Sequence, residues 1–136
     1  AAIESGQVDA AWVLEPFVTV AKGDGARVIS YNHVEFDENM DIGAYFTSKE
    51  MIENEPELVE KFTNAMNKSL EYANENPDAV REVVGTYTRI DDEVLQEMVM
   101  PKFNVDFNVE ANQKVADQAH KYGTLSNELD VTTVLP

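Results

Sequence analysis

Gly6-Gln7-Val8-Asp9-Ala10-Ala11-Trp12-Val13-Leu14-Glu15-Pro16-Phe17 is the stretch on which the fold turns. Val8 to Val13 is a short apolar run, broken by Asp9 and bounded by Gly6 and Pro16. That length and those flanks predict a buried strand. Upstream, Ala1-Ala2-Ile3-Glu4-Ser5 reads as the end of a helix closed by Gly6 at C′. A helix ending where the chain starts is expected of a segment taken from a longer protein. Downstream, Pro16 fits the first turn of a helix and not its interior. Phe17, Val18, Val20 and Ala21 predict that short helix, and Lys22-Gly23-Asp24-Gly25 stops it. In open α/β sheets ligands sit beyond the carboxyl ends of strands. Trp12, Glu15 and Pro16 fall where such a pocket would lie.

Working outward, Arg27 to Tyr31 predicts a second strand, Asn32 to Asp41 a polar loop, and Gly43-Ala44-Tyr45-Phe46-Thr47 a third strand. Ser48 is a plausible N-cap for a short helix over Lys49 to Asn54. Pro56 opens the longest helix, with Leu58, Val59, Phe62, Ala65, Met66, Leu70 and Ala73 at the spacing of one buried face. Asn76-Pro77 restarts the chain with a cap and a proline at N1, and Val80, Val83 and Val84 carry that helix to Gly85. Asp91 caps the next helix, with Ile90 set to staple onto Leu95. Pro101 ends that segment. Lys102 to Phe107 reads as extended or looped. Asn108 caps a helix over Ala111 to Tyr122 that Gly123 closes, and Leu129 to Pro136 reads as a docked extended tail. Short parallel-type strands followed by mostly helix define an α/β chain. Such strands need covered faces and neighbours on both sides. Their number here implies partner strands outside the chain.

The 136 residues carry 26 acidic and 10 basic side chains, a formal net charge of −16. That charge repels phosphate backbones and anionic membranes, whose binding needs Lys and Arg. Neither nucleic acid nor such a membrane is expected as a partner. The charge is dispersed, which suits a solubilising surface better than a high-salt habitat or the long-range attraction of a cation. With no cysteine, disulfides, thiolate metal sites and thiol nucleophiles are excluded. No apolar run approaches the roughly 20 residues of a membrane helix, and no signal peptide is recognisable.

Glu4 to Phe17 resembles the second lobe of ABC-transporter solute-binding proteins, in the branch that takes nitrate, taurine, alkanesulfonates and thiamine-precursor pyrimidines. Gly43-Ala44-Tyr45-Phe46-Thr47-Ser48-Lys49-Glu50 resembles the return strand of that family, which crosses back to the first lobe. Glu55-Pro56-Glu57-Leu58 through Asn76-Pro77-Asp78-Ala79 resembles the paired helices that follow. The resemblance implies a type II periplasmic-binding fold of two lobes around a cleft. The chain would be its C-terminal part: residues 1–42 the end of the second lobe, residues 43–136 the crossover strand and closing helices of the first. It further implies an extracytoplasmic protein, in the periplasm or lipid-anchored at the cell surface, that captures a small-molecule ligand for an ABC transporter membrane permease. No enzyme activity and no cofactor are expected. The first lobe's N-terminal sheet is missing from the pattern, so the cleft lacks most of one wall.

Within that frame four residues are candidates for ligand binding. Trp12 stacks on a flat ligand, or is an ordinary core tryptophan. Glu15 accepts hydrogen bonds from an amine or a ring N–H, or serves as an acid at a helix N-terminus. Pro16 shapes the same turn. Tyr45 offers its hydroxyl to the cleft, or covers the core. A carboxylate here disfavours a small anion and suits an amine or heteroaromatic ligand. Thr47 and Ser48 are explained by capping. His33 and His120 show no metal spacing, and Asp91-Asp92-Glu93 is explained by the helix dipole. There is no nucleophile motif, phosphate-binding glycine loop or zinc signature. Two other functions remain open: a thiamine-pyrimidine synthase-like enzyme using His33 as a reactant, and a helical interaction module without a ligand. Exposed strand edges would favour a homo-oligomer of the chain.

Overall fold

A computed structural model describes residues 1–135. Among them the chain forms helices α1 (Phe17–Gly23), α2 (Asn32–Phe36), α3 (Lys49–Asn54), α4 (Pro56–Glu75), α5 (Pro77–Tyr87), α6 (Asp92–Glu97) and α7 (Val109–Lys121), then a 3-10 helix at Val131–Val134.

No strand forms among the described residues, against the expectation for Val8–Val13, Arg27–Tyr31 and Gly43–Thr47. The reason is physical. A helix closes its hydrogen bonds within itself, whereas a strand exists only through a ladder with a second segment. Each of the three stretches lacks that second segment. Their side chains are left outside, Phe46 at 96% exposure being the extreme. The helical expectations fare better, because each rests on local signals, but Asn76 and Asp91 stand at N-cap positions without a side-chain cap bond, and α5 runs past Gly85 to Tyr87. Ser48 caps α3 by accepting the Met51 N–H at 3.1 Å, and Asn108 caps α7 by accepting the Ala111 N–H at 3.0 Å. Pro77 stands at the start of α5.

Gly6 and Gly123 close helical turns as read from the sequence, with φ of +70° and +80°. At the second, Gly123 N–H donates to His120 O and Thr124 N–H to Ala119 O, the paired bonds of a Schellman end. A side chain at such φ is strained, so glycine is the residue that permits it. Two departures are smaller. The predicted loop Asn32 to Asp41 contains α2, held by the Glu35 carboxylate, which accepts the Ser30 hydroxyl at 2.8 Å and the Tyr31 N–H at 3.3 Å. The tail is docked but coils: Asp130 accepts the Thr132 N–H at 3.0 Å and starts the 3-10 helix. Its last residue, Pro136, lies outside the described residues.

The chain divides into two units. The first joins Ala1–Ile29 to Ser69–Phe103. Its buried residues are Leu95, Met98 and Thr19. Gly85 on α5 lets Leu95 come close, since a Cβ there would stand 3.1 Å from Leu95 Cδ1. The Arg81 guanidinium on α5 donates to Leu95 O and, at 3.1 Å, to Met98 O. It thereby satisfies carbonyls that the end of α6 leaves open. Asn74 pairs with the Phe103 backbone in both directions, donating to its O at 2.6 Å and accepting its N–H at 2.9 Å.

The second unit joins Ser30–Lys68 to Asn104–Pro136. Ala111, Ala116 and Val131 are its buried apolar residues. Gln113 on α7 holds the tail, accepting the Val131 N–H at 3.0 Å and donating to Leu129 O at 2.7 Å. The predicted stripe of α4 is amphipathic but not buried: Leu58 and Phe62 remain exposed. The periodicity names the face. It does not supply what covers it.

Candidate functional site

The turn that precedes α1 is built from the backbone outward. Leu14 O accepts the N–H groups of Phe17 and Val18 at 2.9 and 3.3 Å, and Pro16 O accepts that of Val20 at 3.0 Å. The Glu15–Pro16 peptide bond is cis. The Glu15 carboxylate bends back over the helix start. One oxygen accepts the Thr19 N–H at 3.1 Å, and the other faces the Val99 N–H at 3.4 Å. Four N–H groups at a helix start have no partner in the helix itself, and a carboxylate there also meets the positive end of the dipole. Of the two roles open to Glu15 in the sequence, the structure shows the helix-terminal acid. Its two oxygens are engaged within the protein, so it shapes the turn.

Trp12 and Pro16 flank the same turn. Pro16 is half-buried, while Trp12 is 72% exposed and is no core tryptophan in this unit. Tyr45 belongs to the second unit, where its ring meets Phe62 edge-on at 5.8 Å between centroids and 72° between planes. The structure thus brings Trp12, Glu15 and Pro16 together on one turn, and sets Tyr45 against the exposed stripe of α4.

Two features of the second unit were not singled out from the sequence. Asp41 collects three donors: the Asn108 N–H at 2.8 Å, the Asn112 amide at 2.6 Å and, more weakly, the Asn104 amide at 3.4 Å. The only sequence signal is the four-residue recurrence of asparagine at 104, 108 and 112. Nearby, Lys114 donates to Asp37 at 2.7 Å. The Lys114 ammonium, aided by the Asn39 N–H, holds the Asp37 carboxyl below its ordinary value, and Asp37 raises Lys114 in return.

The other feature is a solvent-open hollow of about 360 Å³ lined by Gln113, Asp117, His120, Glu128, Leu129 and Asp130. His120 Nδ1 lies 3.2 Å from Leu125 O, which ties the ring to the end of α7. The Asp130 carboxyl is lowered by the Thr132 hydroxyl and N–H that cap the 3-10 helix. These carboxylates favour a cation over an anion. No group of three or more His, Asp or Glu able to hold a metal ion occurs among the described residues.

Residues 1–80 match the family described as NMT1/THI5 like, and the chain belongs to that family. The match takes in both quoted motifs, Glu4 to Phe17 and Gly43 to Glu50, and stops within α5. It agrees with the resemblance to nitrate, taurine and thiamine-precursor binding proteins, and the family implies a periplasmic-binding fold. No curated protein matches the chain, and no solved structure does. No helix among the described residues is long and apolar enough to cross a membrane.

Proposed function

We propose that this chain serves in the solute-binding component of an ABC importer, acting outside the cytoplasm and delivering a small solute to a membrane permease. The observation that carries the reading is the family match over residues 1–80, which contains the turn bearing Trp12, Glu15 and Pro16. The mechanism is closure of two lobes about a hinge, with the solute enclosed between them and no covalent step. Residues 1–42 end the second lobe, and residues 43–136 carry the crossover and close the first. Three segments with strand character but no ladder, together with the exposed stripe of α4, support a chain that completes its sheet with further strands.

The geometry assigns unequal roles. Trp12 offers an exposed ring for stacking on a flat or apolar part of the solute. Glu15 keeps the turn in shape through Thr19 and Val99, and each of its oxygens retains a lone pair that an amine or ring N–H can use. The ligand class accordingly stays at a sulfonate, nitrate, pyrimidine or amine solute. Thermal-shift and calorimetric titration of the full-length protein against those four classes tests the reading. Binding of one class, weakened at least tenfold by Trp12→Ala, supports it. No binding to any of them overturns it. His33→Gln separates transport from the synthase-like alternative, since a receptor retains its affinity in that variant.

A further inference from the structure

The segment Asp37 to Asp41 is tied to α7 by side chains. Asp37 takes Lys114 at 2.7 Å, one turn into the helix. Asp41 takes the Asn108 N–H at 2.8 Å, the Asn112 amide at 2.6 Å and the Asn104 amide at 3.4 Å. Asn108 is also the N-cap of α7, its own side chain already spent on the Ala111 N–H. Asp41 therefore supplies the next acceptor outward from the helix start, where a carboxylate meets both a free N–H and the dipole. Asp41 is also the last residue before Ile42-Gly43-Ala44-Tyr45-Phe46-Thr47, which carries no regular structure here. A Cβ added at Gly43 would meet nothing within 4 Å.

We propose that Asp41 is a positioning residue: it roots the crossover segment on α7, so that any bending of that segment begins at Ile42 and Gly43. The inference rests on the proposed receptor function for its consequence and on the hydrogen bonds for its geometry. Without Asp41 the root is held by the single Asp37–Lys114 pair, whose lysine is half exposed to competing water. Motion that should concentrate after Asp41 then spreads back toward α2.

The test uses the full-length protein, with spin labels on Glu38→Cys and Lys121→Cys. This chain contains no cysteine of its own. The expected result is a narrow label-to-label distance distribution that broadens at least twofold in Asp41→Ala. It broadens less in Asp41→Asn, whose amide oxygen still accepts the Asn108 N–H. Amide exchange over Ala111 to Ala119 should stay within threefold of the parent, which separates a rooting role from general support of α7. An unchanged width in Asp41→Ala overturns the proposal, as does a width that grows only together with melting of α7. If Asp41→Ala does not fold, Asn104→Ala with Asn112→Ala removes two of the three donors and is read by the same criteria. With a bound solute in hand, Asp41→Ala should speed its dissociation at least threefold. A protein that binds no solute refutes the receptor reading, while the distance widths still decide the root.

Discussion

Glu15 shows how a residue's surroundings realise one of the roles that its chemistry permits. A carboxylate before Pro16 can greet a ligand or cap a helix. Here the Thr19 and Val99 N–H groups take its oxygens. Removing a helix-terminal acceptor of this kind typically costs about 1 kcal/mol. Glu15→Ala is therefore expected to lower unfolding free energy by about that amount in urea titration. An unchanged midpoint would show that the contacts carry no stability. Arg81 is the stronger case in the same unit, because two carbonyls at the end of α6 depend on its guanidinium. Arg81→Met keeps the aliphatic stem and deletes the donors. It should cost about 1–3 kcal/mol, the penalty of leaving partly buried acceptors unpaired. A loss well below that range would mean that water replaces the guanidinium freely.

Among the elements, α7 is the best specified. Asn108 opens it, Gly123 closes it, and Gln113 fastens the tail along it. Its tie to Asp37 has a defined pH range. The Asp37 carboxyl lies lower in the folded protein than its ordinary 3.8. Its contribution is therefore complete above pH 3.8 and vanishes as pH falls through the lower folded value. Lys114 lies above its ordinary 10.5, so its contribution is complete below pH 10.5 and vanishes as pH rises through the higher folded value. The stability difference between the parent and Lys114→Met should accordingly be flat from about pH 5 to 9 and shrink at both extremes. A difference that varies across neutral pH would contradict the assignment. Alongside α7, α4 illustrates the opposite case. It has the periodicity of a core helix and Pro56 at its start, yet Leu58 and Phe62 remain exposed.

For the whole molecule, charge is the dominant long-range term. A formal charge of −16 with few ion pairs among the described residues repels itself, and salt shortens the reach of that repulsion. Raising NaCl from about 0.05 M to 1 M should raise Tm by about 3–4 °C, what roughly 1 kcal/mol is worth in a domain of this size. A flat profile would show that the charges are already too dispersed to matter. Self-association belongs to the same scale. Its ground moves from strand edges, which do not form among the described residues, to the exposed apolar side chains between Gly43 and Phe62. Light scattering of the chain in 1 M salt should show a species larger than a monomer (salt level as above). A monomer under those conditions counts against pairing between copies.

Local chemistry fixed the helices and several of their ends, because a cap, a proline at N1 or a glycine at C′ acts within a few residues. Ser48, Pro77, Asn108, Gly6 and Gly123 all do in the structure what their positions imply. The two motifs, Glu4 to Phe17 and Gly43 to Glu50, were enough to point to the family that residues 1–80 match. What tertiary structure alone decided is everything that needs a distant partner. It denied a ladder to three strand-like stretches, brought the Val99 N–H to Glu15, and gathered asparagines around Asp41. Such pairings depend on where remote segments meet, and no periodicity within one segment encodes that.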